Sequence, residues 1–179
     1  TSTYPAPFLR KSGAGCEYSW LLVCYRTSSQ RILHMLIGEY QHNLDSKKRL
    51  AIPSKFRKEL GERGAILTRG LDNCLFVFPL AQWEVLAEKV ANLPMGQKDT
   101  RSFTRLLLSG AVEVEFDALG RILVPEYLKQ YAGLQKEVVV AGLHTRLEIW
   151  DRARWQNYKA EIEKNSDRIA EKLGELGVI

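Results

Sequence analysis

An internal repeat limits what this chain can fold into more than any other feature. "LDSKKRLAIP" at residues 44–53 returns as "FDALGRILVP" at 116–125, an offset of 72 residues. At that offset, without gaps, Asp45 meets Asp117, Arg49 meets Arg121, Pro53 meets Pro125, Gly61 meets Gly133, Gly70 meets Gly142 and Trp83 meets Trp155. Conservative pairs fill the intervals, among them Leu50 with Ile122, Ile52 with Val124, Phe56 with Leu128 and Ile66 with Val138. So many matches in one register mark a tandem duplication, and each copy should form the same supersecondary unit.

Both copies read alike. A strand ("GEYQHNL" or "AVEVEF") leads into a turn opened by aspartate, a side chain that can bond its own backbone two residues on. A second short strand ("RLAIP" or "RILVP") ends in a proline suited to the first turn of a short amphipathic helix, "SKFRKEL" or "EYLKQYA". Gly61 and Gly133 then stand where a helix C-cap glycine belongs. Two more strands follow, "AILTRG" with "CLFVFP" and "EVVVAG" with "RLEIW", joined by hairpin-like connectors. A unit of about 45 residues is too small to bury a full core alone. The two copies should therefore share one, and the expected solution is a closed, pseudo-two-fold barrel without exposed sheet edges. The class is α+β, mainly β.

The boundaries follow from the pattern. Residues 35–81 form the first unit, 82–109 connecting helices, 110–153 the second unit and 154–179 a C-terminal helix. The connecting helices come from "LAQWEVLAEKVANL" and "KDTRSFTRLLL"; the C-terminal one belongs to a long amphipathic stretch, 151–176, with six basic and six acidic residues. Residues 1–34 mix Ser, Thr, Gly and Pro with isolated aromatics and hold no period, whereas Met35 opens the patterned segment. The natural start is expected at Met35, after an upstream-translated or artificially appended stretch; the alternative is a native flexible arm, and disorder is expected in both cases. The apolar run "WLLVCY" is too short to cross a bilayer.

Charge and reactive side chains narrow the function. The formal charge is +5, but residues 1–34 hold +3 of it. Local charge says more: residues 35–69 contain eight basic side chains against four acidic ones. Cys16, Cys24 and Cys74 lack metal-ligand spacing and leave an odd thiol in any disulfide scheme, so reduced thiols in a cytoplasm are the simpler account. The three histidines are scattered, and no nucleophile–base arrangement or glycine-rich phosphate loop is present. No metal site or catalytic arrangement is expected from these residues. "DSKKR" has two readings. It is a solvated turn in which Asp45 pairs with Arg49, or it is a surface presenting Lys47, Lys48 and Arg49 to phosphate and bases. Arginine offers a planar fork for guanine, and lysine a point charge for the backbone.

These residues resemble the MraZ family, the bacterial regulators encoded at the head of the division and cell-wall gene cluster. The likeness rests on the paired Asp-x-x-x-Arg turns and on "GEYQHNLDSKKRLAIPSKFR", "LTRGLDNCLFVFP", "RLLLSGAVEVEFDALGRILVP" and "LEIWDRARW", and it spans residues 35 to about 176. It implies a tandem-duplicated AbrB-like swapped-hairpin (double-split) β-barrel with flanking helices. It further implies a cytoplasmic, nucleoid-associated repressor that binds double-stranded DNA at tandem direct promoter repeats as a homo-oligomeric ring, with no enzymatic activity, metal, cofactor or small-molecule ligand. On this reading Lys47, Lys48, Arg49, Arg57 and Arg121 contact DNA, the first unit dominating, while Asp45, Asp117 and Gly120 structure the turns. The competing class is an antitoxin-like or scaffold barrel that binds protein and not DNA. The first copy departs from the family's Asp-x-x-Gly-Arg turn by placing Lys48 where the second has Gly120. A positive φ at that lysine would cost roughly 1 kcal/mol.

Overall fold

The computed structural model describes residues 35–61 and 64–175. The expectations for residues 1–34 lie outside the described residues. The first copy comprises β1 (Leu36–Asn43), β2 (Arg49–Ala51), α1 (Ser54–Leu60), β3 (Ala65–Arg69) and β4 (Leu75–Pro79). Helices α2 (Leu80–Ala91) and α3 (Lys98–Leu108) connect it to the second. That copy holds β5 (Val112–Val114), β6 (Arg121–Leu123), α4 (Glu126–Ala132), β7 (Glu137–His144) and β8 (Leu147–Asp151). Helices α5 (Arg152–Lys164) and α6 (Ser166–Glu175) follow.

The strands form an antiparallel six-stranded sheet, β1-β7-β8-β4-β3-β5, and a separate two-stranded ribbon, β2-β6. Each copy lends its first strand to the other copy's third: β1 pairs with β7 over eight positions, β5 with β3 over three. Two residue pairs lie on the pseudo-two-fold axis, each related by the 72-residue offset. They are Leu50 facing Ile122 in the ribbon and Phe76 facing Glu148 in the sheet.

The closed barrel expected above is not what forms. Hydrogen bonding ends at β1 on one side and β5 on the other, and among the described residues these two do not pair. The strands that could bridge them, β2 and β6, pair with each other instead, and one isolated bridge, Leu44 to Leu50, links the end of β1 to the ribbon. The gapless repeat also needs correction. Ala65 pairs with Val114 and Pro79 as Val138 pairs with His42 and Asp151, so β3 matches β7 at an offset of 73. Ala65, not Ile66, is the counterpart of Val138. One extra residue before β7 is balanced by a shorter following loop, 143–146 against 70–74.

The long C-terminal helix is likewise two helices, α5 and α6, interrupted at Asn165 (φ −110°, ψ 8°). Asn165 Nδ2 donates to Glu161 O at 2.8 Å and Ser166 Oγ to Glu163 O at 3.0 Å. Such short polar side chains compete for backbone groups and disfavour helix continuation.

The main core lies where the sheet meets the ribbon and the two short helices. Leu50 and Ile122, both fully buried, meet Phe56 from α1, Leu128 from α4 and Leu67, Val77, Val140 and Ile149 from the sheet. A second cluster of Phe76, Phe78, Val90, Leu107 and Trp150 lies where α2 and α3 meet the sheet, with Trp83 and Trp155 packed against it. Thr68 Oγ1 ties α3 down by donating to Leu107 O at 2.6 Å, and Tyr158 of α5 stacks on Trp150. The inner strands are covered on both faces, so they read as continuous apolar runs rather than alternating ones.

Candidate nucleic-acid interface

In both copies the aspartate turn is built the same way. Asp45 Oδ1 accepts from the backbone N–H of Lys47 and of Arg49, both at 2.8 Å, and Asp117 Oδ1 from those of Leu119 and Arg121, both at 2.9 Å. The backbone closes each turn through Lys48 N to Asp45 O (2.9 Å) and Gly120 N to Asp117 O (2.7 Å). Position 48 sits at φ 60° and position 120 at φ 71°, so the first copy places a lysine where the second has the residue that tolerates left-handed backbone. The two turns also hold one another: Ile52 N donates to Gly120 O at 3.0 Å and Val124 N to Lys48 O at 2.9 Å.

Pairing of β2 with β6 brings the four charged turn residues together. Arg49 Nε donates to Asp45 Oδ2 at 2.8 Å, and Arg121 Nε to Asp117 Oδ2 at 2.8 Å. Across the ribbon, Arg121 Nη1 stands 3.6 Å from Asp45 Oδ2, and Arg49 Nη1 4.0 Å from Asp117 Oδ2. The side-chain hydrogen bond from Arg121, joined by the backbone N–H of Arg121, pulls the Asp117 carboxyl down to about 2. The backbone N–H of Arg49, then its guanidinium, holds Asp45 below the ordinary carboxylate range. The cluster is slightly unequal. Arg121 adds a further bond to Asp117, Nη2 to Oδ2 at 2.7 Å, and its side chain is 23% exposed against 33% for Arg49. Arg49 is thus the more accessible fork.

The other sequence candidates surround this cluster. Lys47 is exposed at the first turn. Lys48 Nζ pairs with Glu126 Oε2 at 2.9 Å, which lowers the Glu126 carboxyl, chiefly through the bond from Lys48. The guanidinium of Arg57, from α1, lies over Gly120, where an added Cβ would collide with it. Arg57 therefore joins the second turn, not the first. Leu119, which the repeat sets in the place of Lys47, is exposed at the second turn. The sequence reading missed Glu126 and the exposed Leu123, which counting 72 residues from Ala51 would have found.

Every second residue of the ribbon faces the core, so Leu50 and Ile122 point inward and Arg49, Ala51, Arg121 and Leu123 lie on the outer face. Among the described residues no group of three or more histidines, cysteines and acids could hold a metal ion, and no helix is long and apolar enough to cross a membrane. A family described as "MraZ protein, putative antitoxin-like" matches residues 35–106 and again 107–175.

The chain belongs to the MraZ family.

The two adjoining MraZ matches coincide with the two copies seen in the fold. Similar proteins include one named "Transcriptional regulator MraZ" from Caldicellulosiruptor saccharolyticus, 52% identical over 144 residues, which cover 80% of this chain and all of that protein. Proteins of the same name from Acetivibrio thermocellus and Clostridium tetani are each 49% identical over the same coverage.

Proposed function

We propose that this MraZ protein is a transcription regulator that represses its own division and cell-wall gene cluster, using the outer face of the β2–β6 ribbon to bind promoter DNA. One observation carries the reading: two arginines, each oriented by an aspartate, stand on a ribbon anchored by the buried pair Leu50 and Ile122. The B-DNA major groove, roughly 12 Å wide, admits a two-stranded ribbon, and an arginine fork fits guanine O6 and N7. Fixing the guanidinium beforehand reduces the ordering entropy lost on binding. Arg49 serves as the principal base-reading residue, with Arg121 secondary. Lys47, Lys48 and Arg57 supply charge for phosphates, which makes affinity strongly salt-dependent. The names of the relatives support a regulatory role, and no step of it calls for an enzyme activity or a cofactor. The strand exchange between copies supports descent from a swapped-hairpin fold.

One such face offers DNA only a small footprint. A homo-oligomeric ring in the cytoplasm, bound at the nucleoid, would engage tandem direct repeats together, and effective concentration then raises affinity by roughly a hundredfold or more. A gel-shift titration with DNA from upstream of the chain's own gene tests the reading. Arg49→Ala abolishes the shift while the assembly keeps its size; a variant that still binds like the wild type refutes the interface. Equal affinity for a single-repeat duplex refutes the ring.

A further inference from the structure

The aspartate–arginine cluster obeys the pseudo-two-fold axis, but its flanks do not. Where the first turn carries the cation Lys47, the second carries Leu119, 69% exposed. Where β2 ends in Ala51, β6 ends in Leu123, 56% exposed and directly opposite Arg49 in the ribbon's register. Isolated exposed leucines are ordinary. These two are different because each stands beside one of the arginines, Leu123 opposite Arg49 at the first turn's end of the ribbon and Leu119 in the second turn at the other end.

We infer that the second copy gives the ribbon two apolar contacts, Leu119 and Leu123, that read thymine methyl groups, and thereby a fixed direction on DNA. This rests on the DNA-binding reading above. The thymine C5-methyl is the apolar group that the major groove offers for recognition. Directly paired residues of antiparallel strands lie about 5 Å apart, close to the roughly 3.4 Å rise of a base-pair step. A ribbon lying in the groove with Arg49 at a guanine therefore brings Leu123 to the same or the neighbouring step. A perfectly symmetric face would fit a palindrome in either orientation. A face with lysine at one turn and leucine at the other fits a non-palindromic site in one orientation only, so successive copies of the protein all bind pointing the same way.

Duplexes of the upstream DNA, synthesised either with thymine or with deoxyuridine throughout, test this, because deoxyuridine lacks only the methyl group. The wild-type protein binds the uracil duplex about fourfold more weakly for each methyl group that the leucines would otherwise cover. Leu119→Ala/Leu123→Ala binds both duplexes alike, whereas Lys47→Ala, which removes a charge for the phosphates, weakens both and keeps the thymine preference. Equal wild-type binding to the two duplexes overturns the inference, as does an unchanged preference in the leucine variant. Failure of the wild-type protein to bind either duplex instead removes the DNA-binding reading itself.

Discussion

Arg49 and Leu50 are neighbours with opposite tasks, and replacing Leu50 by alanine shows how firmly the ribbon is seated. Leu50 has no exposed surface and faces Ile122, also fully buried, across the axis. The ribbon itself is short: three residue pairs, plus the two crossing bonds from Ile52 N and Val124 N. The Leu50 side chain meets α1, α4 and the sheet in one core cluster, so the cavity left by truncation has little room to collapse. Leu→Ala changes at such sites cost about 2–5 kcal/mol, and roughly 3 is expected here. For a chain of this size each kcal/mol lowers Tm by about 2–4 °C, so Leu50→Ala should melt roughly 6–12 °C below the wild type. Urea titration followed by tryptophan fluorescence reads it well, because Trp150 belongs to the second core cluster and Trp83 and Trp155 pack against it. Protein concentration must be held fixed, since assembly raises apparent stability. Arg49→Ala, on the outer face, should shift Tm by no more than about 2 °C. A cost for Leu50→Ala below about 1 kcal/mol would refute the claim that this residue anchors the ribbon.

Three further outcomes are expected. Asp117, held at about 2 by Arg121, is ordinarily near 3.9 in an unfolded chain, so the stability its carboxylate contributes is complete above about pH 4 and disappears as pH falls toward 2. Asp117→Asn should flatten stability against pH in that window, and an unchanged slope contradicts the assignment. Gly120→Ala, at φ 71° with Arg57 lying over it, should cost roughly 1–2 kcal/mol by thermal melting, and a neutral result contradicts it. Thr68→Val removes the buried donor to Leu107 O and should cost about 1–3 kcal/mol, with faster amide exchange in α3; unchanged exchange would show that the bond does not hold that helix.

Much of this fold is legible in the sequence because the duplication supplies each element twice. Prolines at 53 and 125 mark the helix starts, and glycines at 61 and 133 the ends, with Gly133 in the left-handed conformation. The misreadings have physical causes. The gapless offset survives a slip in β3 and β7 because Ile66 and Leu67 meet a run of three valines, 138–140, so a one-residue shift still sets both on apolar residues. Gly70 and Gly142 reinforced the wrong register: Gly70 belongs to the β3–β4 loop, whereas Gly142 is the last paired residue of β7 in its ladder with β8. The expected closed barrel followed from the need to hide edges, but β2 and β6 satisfy each other and leave the sheet. At the candidate interface, pairing of Asp45 with Arg49 could be read from spacing alone. The cross-ribbon approach of Arg121 to Asp45 could not, since it depends on β2 meeting β6. The Lys48–Glu126 pair was hidden for the same reason, its members being 78 residues apart in sequence.

Hydrogen–deuterium exchange with and without the upstream DNA tests the central claim most directly. Binding should slow exchange in residues 45–51 and 117–123 and leave α3, anchored by Thr68 to the sheet, unchanged. Protection elsewhere, with both aspartate turns exchanging as in the free protein, would contradict the ribbon as the DNA-reading surface.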